Sequence, residues 1–298
     1  MKLMNFVVDK KVHIGLVTDE GVIDISAAAK EKDEGLPCPC GCGVKHIDSL
    51  SMELLIYCGD AGLEYVKKVS AGQPKLKEEE LTFAPVVTKP EKIICVGVNY
   101  LDHAMEGSGK LPDFPVLFNK YNTSLAAHNE VIPIPKAAGN IDYEAELVIV
   151  IGKTCFEVEK EDVLDYIYGY TIGNDFSARE QQRRVSQWMT GKSPDKFGPV
   201  GPYIVTKDEI DGGNIDVTLY RNGEVAQHSN TDKLIFDIGD IVSYTSKFIT
   251  MKPGDIIFTG TMAGVISGKP EGEKNWLQTG DEIVIEVEGI GKLRNVIG

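Results

Sequence analysis

The sequence has no long apolar stretch and no excess of positive charge. None of its hydrophobic runs approaches the roughly 18 residues that a membrane-spanning helix needs, so we expect no membrane span. Lysine and arginine number 31 against 45 acidic residues, which gives a net charge of −14. Because a surface of this sign repels phosphate backbones and anionic lipids, we predict no nucleic-acid and no membrane partner.

Several motifs that would identify a cofactor or a nucleophile are also missing. The sequence contains no Walker-type phosphate loop, no dinucleotide-binding glycine fingerprint, no nucleophile elbow and no H-E-x-x-H zinc helix. The first residues, Met1 to Lys11, become charged too early for the apolar core of a secretory signal. We therefore expect a cytoplasmic protein with reduced thiols.

The 298 residues suffice for one large domain and a smaller one. Short alternating strands open the chain, and an apolar pattern of helical period runs from about residue 50 to residue 70. A polar stretch with Pro74 and three successive glutamates follows. We predict a small N-terminal α/β domain over 1–72, a linker over 73–90, and a β-rich α+β domain over 91–298.

Three of the six cysteines lie together, at Cys38, Cys40 and Cys42, with His46 nearby. Their C-x-C-x-C spacing differs from the paired C-x-x-C of most zinc modules, and no second cluster follows. We interpret them as a reduced loop that catalysis does not need, with a structural zinc site as the alternative.

Two carboxylates, Glu144 and Glu146, stand two residues apart in a segment rich in valine and isoleucine. On a strand this spacing places both side chains on one face, where they repel each other and are costly to desolvate. A divalent cation would remove both penalties, and Asp175, just past a second apolar strand, is the natural third ligand. Oxygen ligands favour Mg²⁺ or Mn²⁺. The alternative is a half-exposed strand with solvated glutamates.

His103 and Glu106 are three residues apart, so on a helical turn they share a face. This geometry suits a histidine base that a carboxylate orients, although an ordinary surface helix would show the same spacing. Gly107, Ser108 and Gly109 follow directly, and we expect this segment to act as a lid.

Taken together, these motifs resemble the fumarylacetoacetate hydrolase family over about residues 92–298. The matching segments are Val98-Asn99-Tyr100 with His103 and Glu106, Asp142 to Leu147, Asn174-Asp175 with Ser177-Ala178-Arg179, Gly191-Lys192-Ser193, Asn222-Gly223-Glu224, Pro253-Gly254-Asp255 and Thr259-Gly260-Thr261. Residues 1–70 resemble the small N-terminal domain of two-domain members. The resemblance implies a rolled mixed β-sheet, usually a homodimer, with a Mg²⁺ or Mn²⁺ site.

The resemblance also implies a role for each matched site residue. The implied metal ligands are Glu144, Glu146 and Asp175. The implied catalytic residues are the dyad His103 and Glu106, together with Lys192 beside the substrate. The implied substrate-binding residues are Arg179, Gln182 and Thr261, the last of which would hold a carboxylate.

Two positions depart from the family pattern. Met262 stands where proline is usual, and Pro194 stands where an aromatic residue usually follows Gly-Lys-Ser. We expect both to border the pocket, so the shape of the substrate is the property that the resemblance fixes least.

The substrates of the family are small anionic 2-oxo or 2,4-dioxo carboxylates. We favour C–C hydrolysis of an acylpyruvate-type substrate, because the His–Glu pair that would activate water is complete. Decarboxylation of a 2-oxo diacid such as oxaloacetate, and keto–enol isomerisation of a 2-hydroxy-diene-dioate, would use the same groups. A catalytically silent metal-binding scaffold is the alternative from another class.

Overall fold

The structure is a computed structural model that describes residues 1–37, 45–46, 49–106 and 109–298. The predictions made for Cys38, Cys40 and Cys42, and for the Gly107-Ser108 part of the lid, lie outside these residues. Within the described ranges, no helix is both long and apolar enough to cross a membrane.

The first 90 residues form short strands and two helices. The strands are β1 (Lys2–Val8), β2 (Lys11–Thr18), β3 (Gly21–Asp24), β4 (Leu36–Pro37), β5 (Lys45–His46) and β6 (Thr82–Ala84), and the helices are α1 (Ile25–Glu31) and α2 (Met52–Ser70). The short strands predicted at the start of the chain, which pair in antiparallel order as β1-β2-β3, and the helix near residues 50–70 are thus confirmed.

The middle of the chain carries most of the predicted site residues. Its strands are β7 (Ile93–Gly97), β8 (Val116–Lys120), β9 (Leu125–Ala126), β10 (Val131–Ile132), β11 (Ile141–Asp142), β12 (Ala145–Ile151), β13 (Ile167–Asn174), β14 (Ser177–Ala178) and β15 (Gly198–Thr206). Its helices are α3 (Leu101–Glu106), α4 (Arg179–Arg184) and α5 (Met189–Lys192).

The last part adds β16 (Asp216–Arg221), β17 (Glu224–Asn230), α6 (Ile238–Ser246), β18 (Ile256–Phe258), β19 (Glu282–Val287) and β20 (Gly291–Ile297). Short 3-10 helices lie at Glu78–Glu80, Asn122–Ser124, Lys160–Tyr166, Thr231–Lys233, Ile266–Gly268 and Glu271–Glu273.

Within the described residues, the strands form one large sheet, one smaller sheet and two two-stranded pairs, β11 with β14 and β4 with β5. The large sheet has the order β3-β2-β1-β15-β13-β12-β18-β7-β8, with β6 beside β1 and β9 beside β15. It is mixed, because β7 and β18 run parallel while β12 is antiparallel to both of its neighbours. The smaller sheet has the order β10-β20-β19-β16-β17. The predicted β-rich α+β class with a mixed sheet is confirmed.

Strand β12 lies at the centre of the large sheet and is buried on both faces. Leu147, Ile149 and Ile151 point into a core shared with the smaller sheet and α6. Val148 and Val150 point to the opposite side, into a core shared with α1 and α2. Each such aliphatic side chain contributes about 1.5–3 kcal/mol when fully buried. The alternative of a half-exposed strand is therefore wrong.

The N-terminal strands extend the large sheet. Strand β1 pairs with β15 in antiparallel register, with Leu3 opposite Ile204. Strand β6, just before residue 90, pairs with the other part of β1. The sheet thus runs through the predicted linker, and the division at residues 72 and 91 stays a prediction.

Candidate functional site

Three acidic side chains meet where β12 begins and β13 ends. The antiparallel register pairs Ala145 with Asn174, so Glu144 and Asp175 lie side by side just beyond that pair. The Asp175 N–H donates to the Glu144 carbonyl at 3.0 Å. One carboxylate oxygen each from Glu144, Glu146 and Asp175 lies within 4.8 Å of the other two, and all three residues are buried. The structure thus brings the three predicted metal ligands together.

Two lysines contact this carboxylate cluster. Lys192, at the end of α5, makes ion pairs with Glu144 and with Asp175, the latter at 2.6 Å from Nζ to Oδ2. Lys120, the last residue of β8, donates to Asp175 Oδ1 at 2.5 Å and to the backbone carbonyl of Lys192. Both lysine side chains are buried, so Asp175 is held between two ammonium groups.

Arg179 is a third cation that contacts the cluster. Its Nη2 lies 2.7 Å from Glu144 Oε1, and its Nε lies 2.8 Å from Asp142 Oδ2. Its Nη1 donates to Gln182 Oε1 at 3.1 Å, which fixes the amide of Gln182 one turn further along α4. The predicted substrate-binding pair therefore lies at the cluster, with the arginine already paired to two carboxylates.

Buried charges set the protonation of Glu144 and Lys192. Burial would raise the pKa of Glu144, but Arg179 and Lys192 outweigh it and lower that pKa to about 2. Burial would lower the pKa of Lys192, but Asp175 and Glu144 raise it to about 12. Lys192 therefore stays protonated near neutral pH, where it supplies positive charge and cannot act as a base.

Glu146 has a different environment. Its Oε2 accepts the backbone N–H of Gly260 at 2.7 Å, and in the described part of the chain no cation contacts it. Burial, then the charges of Asp175 and Glu144, raise the pKa of Glu146 well above its ordinary range. This is the carboxylate that most lacks a positive partner.

The donor set fits a hard divalent cation. The cluster supplies oxygen ligands alone, which suits Mg²⁺ or Mn²⁺ better than Zn²⁺. Negative groups also exceed positive ones: four buried carboxylates (Asp142, Glu144, Glu146, Asp175) face three buried cations (Lys120, Arg179, Lys192). A divalent ion would offset the excess charge that is concentrated at Glu146.

The histidine and the glutamate of α3 lie over the same cavity. His103 Nδ1 is 3.4 Å from Glu106 Oε2, a long contact for a hydrogen bond. The other oxygen of Glu106 accepts the backbone N–H of Gly264 at 2.9 Å. The imidazole lines the same cavity as the three carboxylates. The structure brings the predicted dyad to the cluster.

Thr261 lies on the cavity wall, but its hydroxyl is engaged. It donates to the backbone carbonyl of Ala145 at 2.9 Å and accepts from Gln227 Nε2 at 3.0 Å. Because a hydroxyl has one proton, Thr261 must turn before it can donate to a substrate carboxylate. That Thr261 holds a substrate carboxylate stays a prediction, and it requires this rotation of the hydroxyl.

The cavity has a volume of about 460 Å³ and a wall of aromatic rings. The rings of Phe118 and Trp188 meet edge to face with centroids 5.3 Å apart. Lys192 Nζ lies 5.0 Å from the Phe118 centroid, which places this wall beside the carboxylate cluster. Met262 and Pro194 are not on this wall: Met262 is buried in the core, and Pro194 faces a separate apolar groove. The expectation that both border the pocket is wrong.

Sequence reasoning missed Lys120 and gave Asp142 no role. Lysine at the end of a strand is usually solvated, so the pattern offered no sign that Lys120 is buried. Asp142 accepts the backbone N–H groups of Ile266 and Ser267 as well as Arg179, so it anchors the loop that lines the cavity. Its position two residues before Glu144 was the available signal.

A mixed sheet that carries three buried carboxylates, paired lysines and a His–Glu pair around one cavity defines an enzyme-type site. Residues 92–298 match the family model of the fumarylacetoacetate (FAA) hydrolase C-terminal domain. The chain belongs to this family, whose members are enzymes that act on small carboxylates.

Relatives within the family differ in the reactions that their names describe. The mitochondrial oxaloacetate tautomerase fahd2 of Xenopus laevis is 35% identical over 292 residues, 96% of this chain and 86% of the relative. A fumarylacetoacetate hydrolase from Exiguobacterium antarcticum has a TM-score of 0.82 at 31% identity, covering 100% of this chain and 99% of that one. A maleylpyruvate hydrolase from Sphingobium sp. SYK-6, solved with manganese(II) ion and pyruvate, has a TM-score of 0.77 at 27% identity over 100% and 98%.

Proposed function

We propose that this protein moves a proton at the carbon beside the ketone of a 2-oxo dicarboxylate, and so interconverts the keto and enol forms of an oxaloacetate-type substrate. The observation that carries the proposal is one acid–base pair facing the carboxylate cluster, His103 with Glu106. Keto–enol interconversion needs a single group that takes and returns a proton, and Lys192 is held in its protonated form.

Glu144, Glu146 and Asp175 would hold the metal, for which we propose Mg²⁺ or Mn²⁺. When bound, such an ion would polarise the ketone of a 2-oxo acid and offset the negative charge that develops on its oxygen. The similarity to a maleylpyruvate hydrolase solved with manganese(II) ion and pyruvate supports this assignment.

The side chains of this protein would divide the remaining work. His103 would take the proton from the carbon beside the ketone, and Glu106 would stabilise the resulting imidazolium. The Gly264 N–H holds Glu106 in place, so the base keeps a fixed direction. The ammonium of Lys192 would stabilise the developing enolate oxygen in a site largely removed from water.

The preference for tautomerisation over hydrolysis rests on the relatives. The tautomerase is 35% identical across 96% of this chain, whereas the fumarylacetoacetate hydrolase is 31% identical and the maleylpyruvate hydrolase is 27% identical. C–C hydrolysis of an acylpyruvate is the second candidate, because the His103–Glu106 pair is complete and could activate water. Decarboxylation and isomerisation would share the enolate. The cytoplasmic location and the homodimer both remain predictions. Light scattering tests the homodimer.

The test compares three reactions with the Mn²⁺-loaded and the Mg²⁺-loaded protein. The decay of the ultraviolet absorbance of enol-oxaloacetate reports tautomerisation, a lactate dehydrogenase couple reports pyruvate from decarboxylation, and loss of an acylpyruvate reports hydrolysis. We expect enol decay far above the rate in buffer with the same metal, and His103→Ala should remove most of the excess. An enol decay no faster than that of metal alone would rule out the proposal, and fast acylpyruvate loss would support the second candidate.

A further inference from the structure

Most positive charge at the cavity is already committed to protein carboxylates. Arg179 contacts Asp142 and Glu144, and Lys192 contacts Glu144 and Asp175. Four buried carboxylates face three buried cations, so a divalent ion leaves an excess of about one positive charge. One substrate carboxylate cancels that excess. A second carboxylate needs another cation, outside this inner cluster.

Arg183 is such a cation. It lines the same cavity, is exposed to solvent, and within the described residues forms no ion pair or hydrogen bond of its own. It follows Arg179 by four residues on α4, so both side chains lie on one face of the helix about 6 Å apart along its axis. Arg179 is buried at the carboxylate cluster, whereas Arg183 is exposed to solvent.

Glu271 is an acidic residue close enough for the charge of Arg183 to affect it, but it does not neutralise Arg183. The ion pair with Lys274, and to a smaller degree the charge of Arg183, lower the pKa of Glu271. Glu271 Oε2 lies 2.7 Å from Lys274 Nζ, so its charge is compensated there. The guanidinium of Arg183 therefore keeps its planar set of donors for an incoming ligand.

We propose that Arg183 binds the second carboxylate of the substrate, and that this contact selects 2-oxo dicarboxylates over monocarboxylates of the same length. The inference rests on the proposed function, because it takes the 2-oxo acid group to lie at the carboxylate cluster. A guanidinium can hold a carboxylate through two parallel N–H···O bonds, which fixes the position as well as the charge of the distal group.

The experiment compares oxaloacetate with 2,4-dioxopentanoate, in which an acetyl group replaces the distal carboxylate. The enol of each is followed by its absorbance, and pyruvate released from 2,4-dioxopentanoate reports any hydrolysis separately. Arg183→Gln should lower kcat/KM for oxaloacetate by roughly 10–100-fold, mainly through KM, the size expected for a lost hydrogen bond between charged groups. It should leave kcat/KM for 2,4-dioxopentanoate unchanged. Arg183→Lys should restore part of the loss, since it returns the charge without the paired donors.

Arg184→Gln is the matched control. Arg184 is the next residue of the same helix, is exposed, and pairs with Glu180 at 2.5 Å without lining the cavity. It should behave as the parent with both substrates. If Arg183→Gln leaves the ratio of kcat/KM for oxaloacetate to kcat/KM for 2,4-dioxopentanoate unchanged, the proposal is overturned.

A binding measurement separates this proposal from the proposed function. Calorimetry on the Mn²⁺-loaded protein should show that Arg183→Gln binds oxalate, which has no distal group, as tightly as the parent does. The same variant should bind malate roughly 10-fold or more weakly. If the parent turns over neither substrate, the tautomerase proposal fails while this difference still supports the role of Arg183. Equal malate binding by parent and variant would refute that role.

Discussion

The carboxylate of Glu106 accepts the backbone N–H of Gly264 at 2.9 Å, although the two residues are 158 positions apart in the chain. The other oxygen of the same side chain lies 3.4 Å from His103 Nδ1. The side chain also covers Gly268, where an added Cβ would come within 2.8 Å of Glu106 Oε2. One glutamate thus couples the position of the candidate base to the loop after β18.

This coupling gives a graded prediction. Glu106→Gln keeps an oxygen for the Gly264 N–H but loses the charge beside the imidazole, so we expect kcat to fall roughly 10–100-fold. His103→Ala should lower kcat further, by roughly 10²–10⁴-fold, because the proton acceptor itself is lost. Both variants should retain the metal affinity of the parent, measured by calorimetry, since the oxygen cluster is unchanged. Near-parent turnover in His103→Ala would exclude this histidine as the base.

The metal proposal predicts that EDTA abolishes activity and that Mg²⁺ or Mn²⁺ restores it. It also predicts that, without metal, substitution of Glu144 destabilises the protein more than substitution of Glu146. Glu144→Gln removes one of the two carboxylate partners of both Arg179 and Lys192, so it should cost about 3–5 kcal/mol of unfolding free energy in EDTA. Glu146→Gln should cost less than about 1 kcal/mol, because an amide resembles the protonated carboxyl that a raised pKa favours. Both should bind Mn²⁺ more weakly. Urea unfolding in EDTA and calorimetry with Mn²⁺ test this, and parent-like Mn²⁺ affinity in both would refute the ligand assignment.

Lys120 donates a hydrogen bond to the buried carboxylate of Asp175, and replacing the lysine tests how much this contact stabilises the protein. Lys120→Met should destabilise the protein by about 3–5 kcal/mol, because Asp175 and the Lys192 carbonyl lose a buried donor. Added Mn²⁺ should raise Tm more in this variant than in the parent, since the ion would replace the missing charge. Lys196→Met is the control: Lys196 pairs with Glu130 near the surface, so its loss should cost about 0–1 kcal/mol. An equal Mn²⁺ shift in Lys120→Met and parent would contradict the prediction.

Local sequence patterns predicted the carboxylate cluster. Features that depend on contacts between distant parts of the chain could not be predicted in this way. The i, i+2 spacing of Glu144 and Glu146 and the strand before Asp175 located the carboxylate cluster, because strand geometry is a local property. The burial of Lys120 follows from how β8 meets α5, and the continuity of the sheet follows from β1 pairing with β15. These contacts join residues that are distant in sequence, so no short motif contains them.

The backbone of Val98 is a further feature that composition cannot reveal. Val98 follows β7, lines the cavity, and has a φ of 54°, in a region that β-branched residues rarely adopt. Val98→Gly and Val98→Ala both remove the two γ-methyl groups, but only glycine, which has no Cβ, suits this φ. The glycine variant should therefore be the more stable of the two, by about 1 kcal/mol. Urea unfolding of both variants measures the difference, and an alanine variant of equal or greater stability would show that the backbone relaxes.

His128 should make the stability of the protein depend on pH between its folded and unfolded pKa values. The ring is half-buried, its Nδ1 accepts the backbone N–H of Arg294 at 3.1 Å, and Phe83 packs edge-on with centroids 4.6 Å apart. Burial, then the charge of Arg294, lower the pKa of His128 from 6.5 to about 4, against a smaller opposite effect of a hydrogen bond with the Lys292 backbone. The folded protein thus keeps this imidazole neutral.

The sign of the effect follows from which state binds the proton. Between about pH 6.5 and pH 4 the unfolded chain protonates His128 while the folded protein does not, so stability falls as the pH falls through this window. His128→Asn keeps an acceptor for the Arg294 N–H and does not titrate. The parent should therefore lose about 1–2 kcal/mol more than this variant between about pH 7 and pH 5, with the partial exposure of the ring holding the value below the full linkage. Urea unfolding at each pH measures the difference. Parallel curves for the parent and His128→Asn would show that other groups cause the acid sensitivity.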